Sequence, residues 1–533
     1  MMDKKQKKSP LFERVKKSIK IQGTRLFGDN KFWRIDGTNT NAYLLPIRLT
    51  MVYLTASVLI YAFGPFEWKT YIPGLFYVLL GLYMLALWLG YRVGVMRVFS
   101  QEIECKEGHI DKAMSILSIL VVANFAIYIV NIFREYGYST PDFRGLFQQM
   151  LIGIRNPGLG YALRLQRLSI LQGSDVMGGY VMSLINYAWA FVRYPILICS
   201  MLYFNKMKPV GKVFAALYLV TMFLFYLSIG TTIDALHIFL LLEVGPILNA
   251  FRQWHQQTIT RRKVVKLCAC LMVGLVLIGG YFTWMMLSRG GINNYDQPNY
   301  NVGGIGLSGN NATSRTTPPT TEPTTKPTTE PTTEPTTEPT TEPTTEPTMA
   351  KVERAWSKIS ETAKKFWISF SSYFTQGYYG MSQGLTLPWT PMFGVGSSMF
   401  IVDFVTDNFC DIDRFTYQMK VEQAFGWNSD VQWSCMYTWL ANDFSFYGVV
   451  LIMFLIGILF GEMFKDAITT GNLFAKMSVF YFMLMMLFIP CNNQIAQRAD
   501  TLFSFALIVL CWLVSKHPPK FFRKILARRV SRE

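Results

Sequence analysis

Four arginines, Arg144, Arg155, Arg164 and Arg167, fall in one amphipathic stretch, "RGLFQQMLIGIRNPGLGYALRLQRLSIL", and Arg134 stands just ahead of it. A guanidinium presents a planar fork of donors that grips two phosphate oxygens at once, so arginines gathered at headgroup depth suit a lipid-linked pyrophosphate. The same residues would also serve as headgroup anchors whose charged tips snorkel to the interface. Two more ionisable residues interrupt apolar runs: Arg193 in "YAWAFVRYPILI" and Glu243 in "HIFLLLEVGPIL". Each lies roughly 18–20 Å from the same end of its helix, and equal depth allows an ion pair between them. Such groups are costly within a span and mark either a cavity or a packing contact. Asp234 and His237 sit near the end of the segment that carries Glu243 and are better placed for acid–base chemistry, although a lone histidine is more often structural.

A second group of candidates is aromatic. Tyr378, Tyr379 and Trp389 belong to "YFTQGYYGMSQGLTLPW", followed by "FGVGSS" and by Asp443 within "WSCMYTWLANDFSFYGVV". Ring faces beside polar groups suit sugars, and they equally suit a membrane interface. No Walker loop, no "HExxH", no "GxSxG" in its strand–turn–helix setting and no paired "CxxC" occurs. Soluble ATPase, metalloprotease and hydrolase chemistries are therefore unsupported.

The elements that must position these residues are transmembrane helices. Of the 533 residues 51% are hydrophobic, and they arrive in long blocks rather than in the amount one water-soluble core needs. About 20 apolar residues cross the hydrocarbon, which predicts ten spans near 47–66, 71–91, 113–133, 179–204, 212–230, 232–251, 266–287, 444–464, 473–490 and 500–515. The net charge of +17 is concentrated beside these blocks, in the amino terminus, "YRVGVMR", "NKMKPVGK", "RQWHQQTITRRKVVK", "EMFKD" and the carboxy-terminal tail. All fall on one side, which predicts cytoplasmic termini in a multi-pass protein of the cytoplasmic membrane, and argues for a membrane surface instead of nucleic acid.

The expected class is thus an all-α polytopic membrane protein. It divides into a basic amphipathic amino terminus (1–46, including "LFERVKKSIKI"), a seven-helix region (47–287) with an external loop at 134–178, a long external loop (288–443), a three-helix region (444–515) and a basic tail (516–533). The first 46 residues carry no removable signal peptide pattern, so the first span is expected to direct insertion. Within the long loop, 315–348 is a Thr-Pro-Glu repeat without apolar residues, an extended spacer tolerated as a loop insertion or used as a stalk. The aromatic-rich part, 351–443, opens with "AWSKISETAKKFWISFSSYF", whose helical spacing predicts a helix lying on the outer membrane surface. "CNNQIAQRAD" reads as a short external loop. Cys199, Cys268, Cys270 and Cys511 lie in apolar segments, and Cys410 and Cys435 share the long loop, where an oxidising compartment would allow a bond.

Through "YFTQGYYGMSQGL", "GVGSS" and "MYTWLANDFSFYGVVLIMFLIGILFGEMF", which leads out of a long external loop, the chain resembles the O-antigen and capsular oligosaccharide repeat-unit polymerases. The resemblance implies a membrane glycosyltransferase that joins undecaprenyl-diphosphate-linked oligosaccharides at the outer face, with functional arginines in external loops. On that pattern Arg134, Arg144 and Arg155 are the positions to examine; Arg134 is followed by Gly145 at the family's spacing of eleven, whereas Arg414 meets Gly426 one position too far. Arg144 and Arg155, with Asp234 and His237, are the expected catalytic residues. Arg134, Arg164, Arg167, Arg193, Glu243, Tyr378, Tyr379, Trp389 and Asp443 are expected to bind substrate. No cofactor or metal is required, because the protein supplies the cations. Anionic lipids and other polysaccharide-assembly proteins are expected partners. The alternatives are a lipid-linked oligosaccharide flippase, which internal repeats and shorter external loops would favour, and a non-enzymatic assembly protein.

Overall fold

The computed structural model describes residues 40–66, 68–96, 107–171, 179–231, 233–288, 348–429 and 432–516. The amphipathic amino terminus, the Thr-Pro-Glu repeat, the basic tail and the side chain of Arg167 lie outside the described residues. What is described is helical, with no strand among the described residues.

All ten apolar segments are helices, and eight of them are long and apolar enough to cross a membrane. These are α1 (Thr40–Phe63), α2 (Pro73–Met96), α3 (Glu107–Glu135), then, after an amphipathic pair α4 (Phe143–Arg155) and α5 (Pro157–Leu171) and a broken segment α6 (Gly179–Ala190) and α7 (Arg193–Leu202), α8 (Pro209–Ser228), α9 (Ile233–His255) and α10 (Arg261–Ser288). The long helix α11 (Thr348–Gly384) and the short α12 (Met399–Asn408) and α13 (Tyr417–Phe425) follow, before α14 (Met436–Thr469), α15 (Leu473–Phe488) and α16 (Ala499–Lys516).

Two of the ten expected spans depart from a simple helix. The segment 179–204 is bent by 47° between α6 and α7, so the described residues hold nine candidate spans if the bent pair counts as one. Side-chain amides on α3 secure both halves of the break: Asn131 and Asn186 exchange hydrogen bonds at 2.9 and 2.6 Å, while Asn124 accepts from Trp189 Nε1 at 2.8 Å and donates to the Arg193 carbonyl at 3.4 Å. Polar side chains between helices hold a backbone that no longer follows its own ladder.

The other departure is α15, only 16 residues long. Its deficit is made up by residues 489–498, which are not the exposed external loop that "CNNQIAQRAD" predicts. Residues 488–496 are all buried. Non-helical backbone survives at that depth only when protein satisfies it. Met436 donates its N–H to the Ile489 carbonyl (3.0 Å), Tyr53 its hydroxyl to Leu487 (2.5 Å), Ser398 its hydroxyl to Ala496 (2.7 Å), and Asn493 its amide to Ser397 (2.8 Å).

The covering comes largely from the long loop, whose helix continues past the stretch read as interfacial into the bundle. Beyond Trp367, which is exposed, α11 runs into the bundle: Ser371, Thr375, Tyr378, Met381 and Ser382 are buried, and it packs on α1, α13 and α14. At Gly377 any Cβ would strike the Pro490 carbonyl oxygen and the Cys435 amide nitrogen, so only glycine admits this crossing. Cys410 is exposed, Cys435 is buried, and both are free thiols.

The spine of the bundle is the pair α2 and α14, the most extensively packed helices of the chain. Gly90 and Gly94 face the carbonyl oxygens of Phe454 and Ile458, while Gly457 and Gly461 face those of Leu87 and Tyr91. Small residues four apart on both partners let the two backbones touch, the usual solution where lipid tails offer no hydrophobic drive for association. α14 itself bends at Ser445, whose φ of 57° and ψ of 163° interrupt the helix at the point where the sequence places the start of the span. Tyr83 of α2 donates its hydroxyl to the neighbouring Phe446 carbonyl at 2.6 Å.

Candidate functional site: an arginine cleft

The amphipathic stretch breaks at Asn156, as its Asn-Pro-Gly sequence predicts, and Asp142 caps α4 by accepting from the Gly145 N–H at 2.9 Å. Gly153 and Gly160 then press against the Ser228 carbonyl oxygen, closer than any side chain would allow, and so seat α4 and α5 on the last turn of α8. This contact carries Arg164 to the end of the bundle. There the last turns of α3 and α8 meet the first turns of α7, α9 and α16 around a cleft of about 670 Å³.

Four guanidiniums line it, from Arg134, Arg164, Arg193 and Arg498, with three carboxylates, from Glu135, Asp234 and Asp500. The carboxylates splay the arginines into fixed positions. Arg498 lies 2.9 Å from Asp234 and 3.5 Å from Asp500, Arg193 lies 3.2 Å from the other oxygen of Asp500, and Arg164 lies 3.1 Å from Glu135. Arg134 donates to Ser183 at 2.9 Å, and Thr231 donates to the second oxygen of Asp234 at 3.1 Å. Several polar atoms here are buried without a hydrogen-bond partner among the described residues, namely Arg193 Nε, Tyr128 Oη and Gln494 Oε1. Three helix amino termini add their partial positive charge. With four guanidiniums against three carboxylates, the charged lining carries one net positive charge. No family model, curated protein or solved structure matches this chain. Its chemistry must therefore be argued from these groups.

Among the residues singled out from the sequence, Arg134, Arg164, Arg193 and Asp234 come together in the cleft. The Arg193–Glu243 pair that equal depth allows does not form. Arg193 engages Asp500 instead, because the break before α7 turns it toward the first turn of α16, and Glu243 lines another cavity further along α9. Arg144 and Arg155 are exposed on α4 and do not line the cleft. His237, one turn below Asp234, is wholly buried; its Nδ1 shares a hydrogen bond with the Tyr194 hydroxyl at 2.8 Å and its Nε2 has no partner among the described residues.

The aromatic candidates also lie outside the cleft. Tyr378 is buried, its hydroxyl 2.9 Å from Ser57, and Tyr379 stacks on Trp68 at 4.8 Å, where burial pushes its hydroxyl pKa up to about 12. Trp389, half exposed, donates to the Asn442 carbonyl at 3.1 Å. Asp443 is enclosed by the "GVGSS" turn: the N–H groups of Gly394, Gly396 and Ser397 donate to it at 2.7, 3.0 and 2.7 Å, and the Ser397 hydroxyl also donates. That turn is a nest whose anion is supplied by the chain itself. Asp443→Asn, which keeps the volume and loses the charge, is expected to cost about 2 kcal/mol of stability. A lower midpoint of thermal unfolding in detergent would register it.

Arg498, Asp500 and Gln494 are the site residues that sequence reasoning missed. The available signal was an Arg-Ala-Asp sequence entering a span, with a cation on the side that the charge bias otherwise leaves poor in them.

Proposed function

We propose that this protein polymerises lipid-linked oligosaccharide repeat units into surface polysaccharide, by glycosyl transfer in the arginine cleft at the outer face of the cytoplasmic membrane. The observation that carries the reading is the excess of guanidiniums over carboxylates in the cleft, at the bundle end away from the basic short loops. A hydroxyl of one lipid-linked unit attacks the anomeric carbon of the other. The new C–O bond forms as the bond to the diphosphate breaks, and the arginines hold the departing diphosphate. The hydroxyl proton passes to a carboxylate. Asp234 is occupied on both oxygens, by Arg498 and Thr231, whereas Glu135 gives only one oxygen to Arg164 and its side chain is 30% exposed. Glu135 is accordingly the carboxylate with an oxygen placed to take the proton.

The test is chain lengthening by the purified protein in liposomes loaded with lipid-linked units. Wild type should give a ladder, and Glu135→Gln should slow it by about a hundredfold or more while still binding the units. A Glu135→Gln ladder equal to wild type removes this residue from the chemistry. Transfer of labelled units across the bilayer without lengthening means the protein is a flippase.

A further inference from the structure

At the opposite end of α9 lies a second cavity of about 890 Å³, bounded by α9, α10, the end of α7 and the start of α15. Lys206, Arg252, Lys263, Lys266 and Lys476 line it, and Glu243 is the one acid among its lining residues. Among the described residues none of the five cations has a carboxylate at salt-bridge distance. Lys263 donates to Gln253 at 2.9 Å, and the Lys476 ammonium stands 5.9 Å from the centre of the Tyr203 ring. Beside this cavity runs an apolar groove of about 750 Å³ between α1, α9, α10 and α15. The two share Ala250, Ile259 and Leu267 as a common wall. α10 overhangs both and has no buried residue in its central apolar window.

We propose that this end of the bundle binds an anionic phospholipid, with its phosphate among the five cations and an acyl chain in the adjoining apolar groove. A soluble anion would use the cations alone; the continuous apolar wall is what selects a lipid. Asp234 and Arg252 are 18 residues apart on one helix, about 27 Å at its rise per residue. That is close to the hydrocarbon thickness, so the phosphate lies at the membrane surface opposite the arginine cleft. Basic pockets between helices at a membrane surface are recurrent headgroup sites. The site does not depend on the polymerase reading.

The experiment incubates the full-length protein in detergent with cardiolipin, phosphatidylglycerol or phosphatidylcholine, and counts bound lipid by native mass spectrometry. Wild type should retain cardiolipin and phosphatidylglycerol over phosphatidylcholine. Lys206→Gln, Lys263→Gln and Lys266→Gln should each weaken retention roughly fivefold, the contribution of one cation near a lipid phosphate. The corresponding Lys→Arg variants should keep it, which separates loss of charge from loss of fold. Leu267→Trp, which fills the common wall and leaves every charge in place, should also reduce retention. Equal retention of phosphatidylcholine, or a triple Gln variant that binds as wild type does, overturns the proposal. Release of the lipid by inorganic phosphate, with Leu267→Trp silent, makes the cavity a site for a free anion and likewise overturns it.

Discussion

On the proposed polymerase reading, alanine at Arg193 or Arg498 is expected to abolish long polysaccharide while single lipid-linked units accumulate, with a loss of at least about a hundredfold in chain lengthening. Both guanidiniums belong to one array around Asp500, and removing either leaves that buried carboxylate half compensated as well as depriving the diphosphate of a donor. Lysine should restore activity only in part, because an ammonium keeps the charge but cannot bridge a carboxylate and a phosphate with one planar fork. Arg144→Ala and Arg155→Ala are the internal comparison. Their side chains are exposed outside the cleft, so most of the product should persist. Polysaccharide length on a gel beside a blot for the protein reads out all four positions. Wild-type ladders from the Arg193 and Arg498 variants, or loss confined to the Arg144 and Arg155 variants, would move the site away from the cleft.

Leucine at Gly90 or Gly457 is expected to eliminate the folded protein. A side chain at either position overlaps a carbonyl oxygen of the facing helix, and neither backbone can retreat without separating the whole α2–α14 contact. The cost should exceed about 4–5 kcal/mol, a large fraction of the stability of an ordinary domain. Gly81 provides the control on the same helix: nothing lies within 4 Å of its Cβ position, and Gly81→Leu should be tolerated. Size-exclusion profiles of detergent extracts distinguish the outcomes. A monodisperse peak from Gly457→Leu would refute the close helix contact.

The apolar segments were legible because length and hydropathy are local properties, and all ten became helices. Arg134, Arg164, Arg193 and Asp234 were legible one by one, as cations of an amphipathic loop or ionisable residues in or beside apolar runs, but not as one group. Partner choice was not local. Counting depth along ideal helices matched Arg193 with Glu243, but a bend at residues 191 and 192 re-aims the first, and its actual partner enters on the last helix. The amphipathic period of α11 was readable too, yet the same period suits a lipid interface and a protein groove, and it is the burial from Ser371 onward and the glycine contact with residue 490 that separate the two. Arg498 escaped because the burial of its loop is decided by residues 377–398, about a hundred positions earlier in the chain.

That distant covering imposes an order of assembly. The segment 489–498 cannot rest in the bundle until the Ser397 carbonyl, the Ser398 hydroxyl and the Met436 amide are in place to receive it. α15 and α16 are made after residues 377–436, so they enter a membrane in which that preceding segment must already have crossed and docked. A chain that stalls at this step carries uncompensated polar backbone within hydrocarbon, the kind of defect that membrane quality control removes. Disturbing residues 377–398 should therefore lower the amount of protein as strongly as deleting the last helix, although the two are far apart in sequence.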